Sequence, residues 1–199
     1  MALDILRARG DGAEKAAWIW ERHDAATGAL LGTWQLPPVG LHGRNLPAVA
    51  FRDHAIIVGH DKEILVMGVD GQSRSIPSSG PVLRVAATTH GERVVIAASL
   101  QDGGIFVSGD LIARFAWGLH APLCCFLDGD LLVAAGEGEI EVYAVDGGRV
   151  LLVAALKDRS LAPVAITPCG GRSPGFAILA ADGKVSWFGI QAGLQKKLS

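Results

Sequence analysis

The stretch LLVAAGEGEIEVYAVDGGRVLLVAAL, residues 131–156, decides how the chain is read. An apolar run meets the acidic turn Glu137-Gly138, and an alternating run follows. Asp146-Gly147-Gly148 then turns the chain into a second apolar run. Alternation with period two, bounded by Gly-centred turns, is the pattern of short antiparallel strands.

The same order recurs along the chain. Four segments, LPAVAF, GPVLRV, APLCCF and APVAIT, open with a residue, then Pro, then an apolar run. Their prolines, Pro47, Pro81, Pro122 and Pro163, stand 34, 41 and 41 residues apart. Pro fits the first residue of a strand, where its missing N–H breaks no ladder. Each apolar run leads to a polar turn: His60-Asp61-Lys62, Gln101-Asp102-Gly103-Gly104, Glu137-Gly138 and Asp182-Gly183. The sixteen residues IIVGHDKEILVMGVDG align without a gap on LVAAGEGEIEVYAVDG at an offset of 76, twice a 38-residue period. Gly40-Leu41-His42 and Gly118-Leu119-His120 precede two of the Pro-led runs.

Each repeat supplies four short strands. One such meander cannot bury two faces, whereas radially stacked meanders can. A period of ~40–50 residues with four strands is the propeller signature. A β-sandwich does not predict the fixed spacing. The expectation is an all-β single domain over 1–199, a small β-propeller of four-stranded antiparallel blades. About five blades are expected, at 1–45 (partial), 46–80, 81–120, 121–161 and 162–199, with incomplete terminal blades. The first two strands of each repeat should be buried on both faces. In the third, Ile140 and Val142 should point into packing, while Glu139, Glu141 and Tyr143 mark a wetter face.

The ends differ. AAWIWERHDAATGALLGTWQLPP, from residue 16, reads as strand Trp18–Asp24, turn Ala25–Gly28 and strand Ala29–Leu36, the outer two strands of a blade. The last repeat shows clear strands only to Ile190. Ring closure would pair residues 16–36 with the blade at Pro163. An open ring would leave edges for a second copy, making a homo-oligomer.

Asp24-Ala25-Ala26-Thr27-Gly28-Ala29-Leu30-Leu31 resembles a turn of quinoprotein-like propellers. The Gly-Leu-His before a first strand is similar to the Gly-His of WD-repeat proteins, with Leu intervening and no Trp-Asp dipeptide. In size and in its Ala, Gly and Val content the chain also resembles bacterial β-propeller components encoded beside a MoxR-type AAA+ ATPase and a von Willebrand A protein. That resemblance implies those two proteins as partners.

Composition narrows the function. Half the residues are apolar, 19% are charged, and the formal net charge is −2. No basic block supports binding to nucleic acid or an anionic membrane. No apolar run reaches the ~18–20 residues of a membrane span. MALDILRARGDG lacks the order of a signal peptide, so a cytoplasmic protein is expected. Cys124, Cys125 and Cys169 form neither a disulfide framework nor a metal knuckle and read as buried free thiols. The six His form no i, i+2 or i, i+4 pair, and Walker, HExxH and GxSxG motifs are absent from suitable contexts. The Asp residues at Asp61, Asp70, Asp102, Asp110, Asp128, Asp130, Asp146 and Asp182 read as hairpin caps. Trp18, Trp20, Trp34 and Trp187 should fill gaps between sheets, while Trp117, ahead of a crossing loop, is the best candidate for exposure.

The expected function is therefore a non-catalytic protein-interaction scaffold, within a multiprotein bacterial assembly, holding no metal or organic cofactor. Its candidate contact residues are Trp117, His120, His42 and Arg84. Two alternatives stand beside it: a ligand- or cofactor-binding quinoprotein-like propeller, and an open half-propeller that oligomerises as a structural subunit. Arg84 is the one charged side chain on the expected innermost strands.

Overall fold

The computed structural model describes residues 2–9, 15–40, 48–51, 54–58, 63–78, 80–90, 93–108, 113–116, 122–127, 130–146, 149–169 and 174–190. Every regular element among them is a strand. Among the described residues no helix is long and apolar enough to cross a membrane. The chain divides into two compact units, Met1–Val85 and Ala86–Ser199.

The first unit holds two antiparallel sheets. One is β1 (Ala2–Arg9), β2 (Lys15–Asp24) and β3 (Leu30–Gly40), paired in that order. The other is β4 (Ala48–Phe51), β5 (His54–Val58), β6 (Glu63–Gly68) and β7 (Ser73–Pro77). The N-terminal reading needs correction, because β2 has a strand on each side and the first sheet has three strands. β1 inverts the usual pattern of a half-buried strand: its apolar Leu3 and Ile5 are exposed, while its polar Asp4 is bonded inward.

β8 (Val82–His90) starts at the end of the first unit and joins β9 (Arg93–Leu100), β10 (Gly104–Ser108) and β11 (Ala113–Ala116) in a four-stranded sheet. A second four-stranded sheet is β12 (Leu123–Leu127), β13 (Leu131–Gly136), β14 (Glu139–Asp146) and β15 (Arg149–Lys157). The third has three strands, β16 (Pro163–Cys169), β17 (Gly175–Ala180) and β18 (Val185–Gly189). Pro81 and Pro122 stand immediately before β8 and β12, and Pro163 opens β16. Each sheet is an up-and-down meander, and the architecture is all-β and β-propeller-like.

Three of the hairpin turns share one chemistry. Asp70, Asp102 and Asp182 each accept the backbone N–H two residues on, at 3.0 Å. The intervening Gly71, Gly103 and Gly183 have φ of 78°, 84° and 83°. That left-handed backbone is nearly free for Gly and strained for most other residues. The turn chemistry thus stops one strand and reverses the next, so hairpin register follows directly from sequence.

The middle sheet of the second unit is packed on both faces. Cys124, Phe126, Leu132, Ala134 and Tyr143 meet Val95, Ala97, Ile105 and Val107 of the β8–β11 sheet. Cys125, Leu127, Leu131, Val133, Ala135, Ile140, Val142 and Ala144 meet Phe176 and Ile178 of β17. Odd and even residues of β13 therefore enter different cores, which explains its unbroken apolar run. Each fully buried Val or Leu contributes about 1.5–3 kcal/mol. Ser99 of β9, fully buried, donates its hydroxyl to the Pro122 carbonyl and ties the first strand of the next sheet to its neighbour.

Two expectations change here. Tyr143 is buried in the first of these cores, donating its hydroxyl to Glu141, so the wetter face of β14 is confined to Glu139 and Glu141, which are partly exposed while Ile140 and Val142 are buried. Burial on both faces of the first strand holds for β12 but fails for β16, most of whose residues are exposed.

Candidate functional site

Of the four expected contact residues, Trp117, His120 and His42 lie outside the described residues. Arg84 is described, exposed on β8, the edge strand of its sheet. The described residues therefore do not assemble these four into one site.

Two kinds of polar cluster among the described residues are engaged within the fold. Asp4 accepts Trp20 Nε1 at 2.8 Å and Arg22 Nε at 2.8 Å. The Arg22 guanidinium lies 5.2 Å from the Trp20 ring centre, and Trp20 packs on Trp34 with ring centres 4.5 Å apart. Trp34 Nε1 donates to the Val69 carbonyl at 2.9 Å, joining the two sheets of the first unit. This cluster fixes the register of β1, β2 and β3.

The turn carboxylates are engaged in the same way. Asp24 is held below the usual carboxylate range by the Thr27 N–H, the Thr27 hydroxyl and the Ala26 N–H. Ser160 lowers Asp158 through its hydroxyl and N–H. Lys184 lowers Asp182. Among the described residues, no group of three or more His, Cys, Asp or Glu is placed to hold a metal ion. Cys124 and Cys125 are buried free thiols, while Cys169 is partly exposed. Burial pushes the Cys125 thiol up to about 12, assisted by the neighbouring Cys124 and Cys169, so it stays protonated and inert.

The surface offers something the sequence reading missed. Trp187, expected to fill a gap between sheets, is 72% exposed. On the same face of the β16–β18 sheet lie Val185, 54% exposed, and Leu179, its cross-strand partner. Ala177 sits opposite Trp187. The opposite face carries Phe176, Ile178 and Phe188, which enter the core, with Phe176 stacked on Phe188 at 5.1 Å. Alternation thus sends one set of β18 side chains inward and leaves Trp and Val outside. No local signal in the sequence separates the exposed Trp187 from Phe188, its neighbour on the packed face.

No protein-family profile matches the chain, and no curated protein matches it. Solved structures do match in shape. The crystal structure of BBS1N in complex with ARL6DN, soaked with mercury, superposes with a TM-score of 0.61 at 11% identity, over 87% of this chain and 60% of that one. The same complex soaked with lead gives a TM-score of 0.61 at 10% identity, over 94% of this chain and 64% of that one. This chain therefore spans less than two thirds of the length of the chains it resembles. At such identity the likeness speaks for the fold alone, and it supports a β-propeller-like architecture.

Proposed function

We propose that the chain is a non-catalytic protein-interaction scaffold. The observation that carries this reading is the apolar face of β17 and β18, where Trp187, Val185 and Leu179 stand together on one face of an antiparallel sheet. Exposed apolar clusters of this kind mark contact surfaces, and Trp is the residue that most often dominates their energetics. The expected occupant is a protein presenting a matching apolar surface. BBS1N, similar in fold, is itself seen bound to another protein. Membership of a multiprotein bacterial assembly, with an AAA+ ATPase and a von Willebrand A protein as partners, remains the finer proposal and rests on the resemblance in size and composition.

The test replaces Trp187 in cells with a photo-reactive phenylalanine and identifies the adduct by mass spectrometry. An adduct to a defined second protein, lost when Val185→Asp is added, is the expected result. An adduct only to a second copy would replace the scaffold with a self-assembling structural subunit. A folded protein that gives no adduct would end the reading.

A further inference from the structure

The outer edge of β15 differs from those of β3, β7 and β11; the five-residue β18, VSWFG, also lacks a charge or proline but is shorter and has no flanking cations within the strand. β15 is the last strand in the order β12-β13-β14-β15. Its sequence, RVLLVAALK, is apolar from Val150 to Leu156. Leu151, Leu152 and Leu156 are 50%, 54% and 46% exposed. The corresponding strand β7, SRSIP, carries Arg74 and Pro77 within it, and β3 carries Pro37 and Pro38. β11, ARFA, carries Arg114. Charges and prolines on an edge prevent pairing with other chains. β15 has neither within its apolar run.

The ends of β15 supply the chemistry. Arg149 is exposed at one end, and the Lys157 side chain is 80% exposed at the other, with its ammonium 3.3 Å from Glu139. Arg159 follows two residues on, also exposed. Antiparallel pairing of β15 with a second copy in full register would set Arg149 against the copy's Lys157 at both ends. Like charges directly opposite destabilise a strand pair. The charge pattern therefore disfavours a second copy and favours carboxylates.

We propose that β15 is a docking edge for an extended segment of a different protein, apolar in its middle and acidic at both ends, which adds as a fifth strand. Main-chain hydrogen bonds along the open edge would hold it. Its alternating side chains would cover Leu151 and Leu156 on one face and Leu152 on the other. Val153 is the extra residue of a bulge, since Tyr143 pairs with Leu152 and Val142 with Ala154. The bulge divides the edge into Arg149–Leu152 and Ala154–Lys157, which interrupts indefinite sheet stacking and leaves two short ladders. This edge is a different surface from the Trp187 face, and neither proposal depends on the other.

The test measures binding of two labelled decapeptides to the full chain by fluorescence anisotropy. One is EEVTVTVTEE and the other KKVTVTVTKK. The acidic-ended peptide should bind about tenfold tighter at low salt, the swing between two attractive and two repulsive surface pairs, and the gap should close as salt rises. Arg149→Glu combined with Lys157→Glu should invert the preference. Leu151→Lys combined with Leu156→Lys should abolish binding while the fold is kept, and if that variant unfolds the charge reversal decides alone. Absence of binding by either peptide, equal binding of both, or an unchanged preference after charge reversal would overturn the proposal. So would a parent chain that light scattering shows to be a dimer and that Leu152→Lys makes monomeric.

Discussion

The β12–β15 and β16–β18 sheets come from neighbouring repeats, yet they occupy opposite environments. Val142 of β14 and Val185 of β18 both sit on the third strand of their sheet. Val142 is 6% exposed and Val185 is 54% exposed. Both are apolar residues on regular antiparallel strands, so local propensity does not separate them. What separates them is whether another sheet covers the face they point to. Residue pattern specifies the strand, and stacking decides what the strand is for: a sheet covered on both faces is core, and one with an uncovered face is surface available for recognition.

The sharpest way to break this comparison is to place the same charge at both positions. Val142→Asp buries an unpaired carboxylate, at a cost of several kcal/mol, comparable with the whole stability of a domain, and the chain should fail to fold. Val185→Asp should change stability by about 0.5 kcal/mol or less and move the melting midpoint by no more than about 2 °C. Circular dichroism melts of the two variants make the test. Similar losses in both would show that the β18 face is packed after all.

A smaller contrast uses hydroxyls. Ser99→Ala removes the buried donor to the Pro122 carbonyl and should cost about 1–3 kcal/mol, read as a lower chemical-denaturation midpoint. Ser186→Ala on exposed β18 should leave the midpoint where it is.

Thiols extend the contrast to chemistry. At pH 8, iodoacetamide should label Cys169 of β16 and spare Cys124 and Cys125 of β12 until the protein is unfolded, as intact-mass measurement would show. The Cys125 shift also carries a sign. Its folded pKa, about 12, lies above the ordinary thiol value of about 8.5, so the folded state holds the proton more tightly. Its stabilising contribution is complete below about pH 8.5 and is lost as pH rises towards 12. Cys125→Ala should flatten that alkaline limb.

The smallest effect belongs to the turns. Asp158 and Asp182 are lowered by their hydrogen bonds, so their contribution is present above the usual carboxylate range and is lost as pH falls through the folded values. Asp158→Asn and Asp182→Asn should each make the acid side of the stability profile slightly shallower.

Much of this architecture could be read from the chain because its determinants are local. Pro81, Pro122 and Pro163 mark strand starts through a missing donor, and Asp-Gly turns mark strand ends through a side-chain cap and a left-handed glycine. What could not be read depended on distant neighbours. Ala2–Arg9 becomes a strand whose polar Asp4 is engaged, because Trp20 and Arg22 arrive from β2. Tyr143 is buried because the β8–β11 sheet covers it, although its neighbours in sequence are acidic. Trp187 is exposed on the β16–β18 sheet while Phe188 beside it packs inward, and a Trp in an alternating strand carries no mark of which case applies.

One sheet is enclosed on both faces while its neighbour is open on one. Hydrogen–deuterium exchange, resolved by peptide under native conditions, tests it most directly. β13 is paired on both sides and covered on both faces, so Leu131–Gly136 should exchange at a rate set by global unfolding. β18 should exchange orders of magnitude faster through local opening. Protection of Val185–Gly189 equal to that of Leu131–Gly136 would contradict the account.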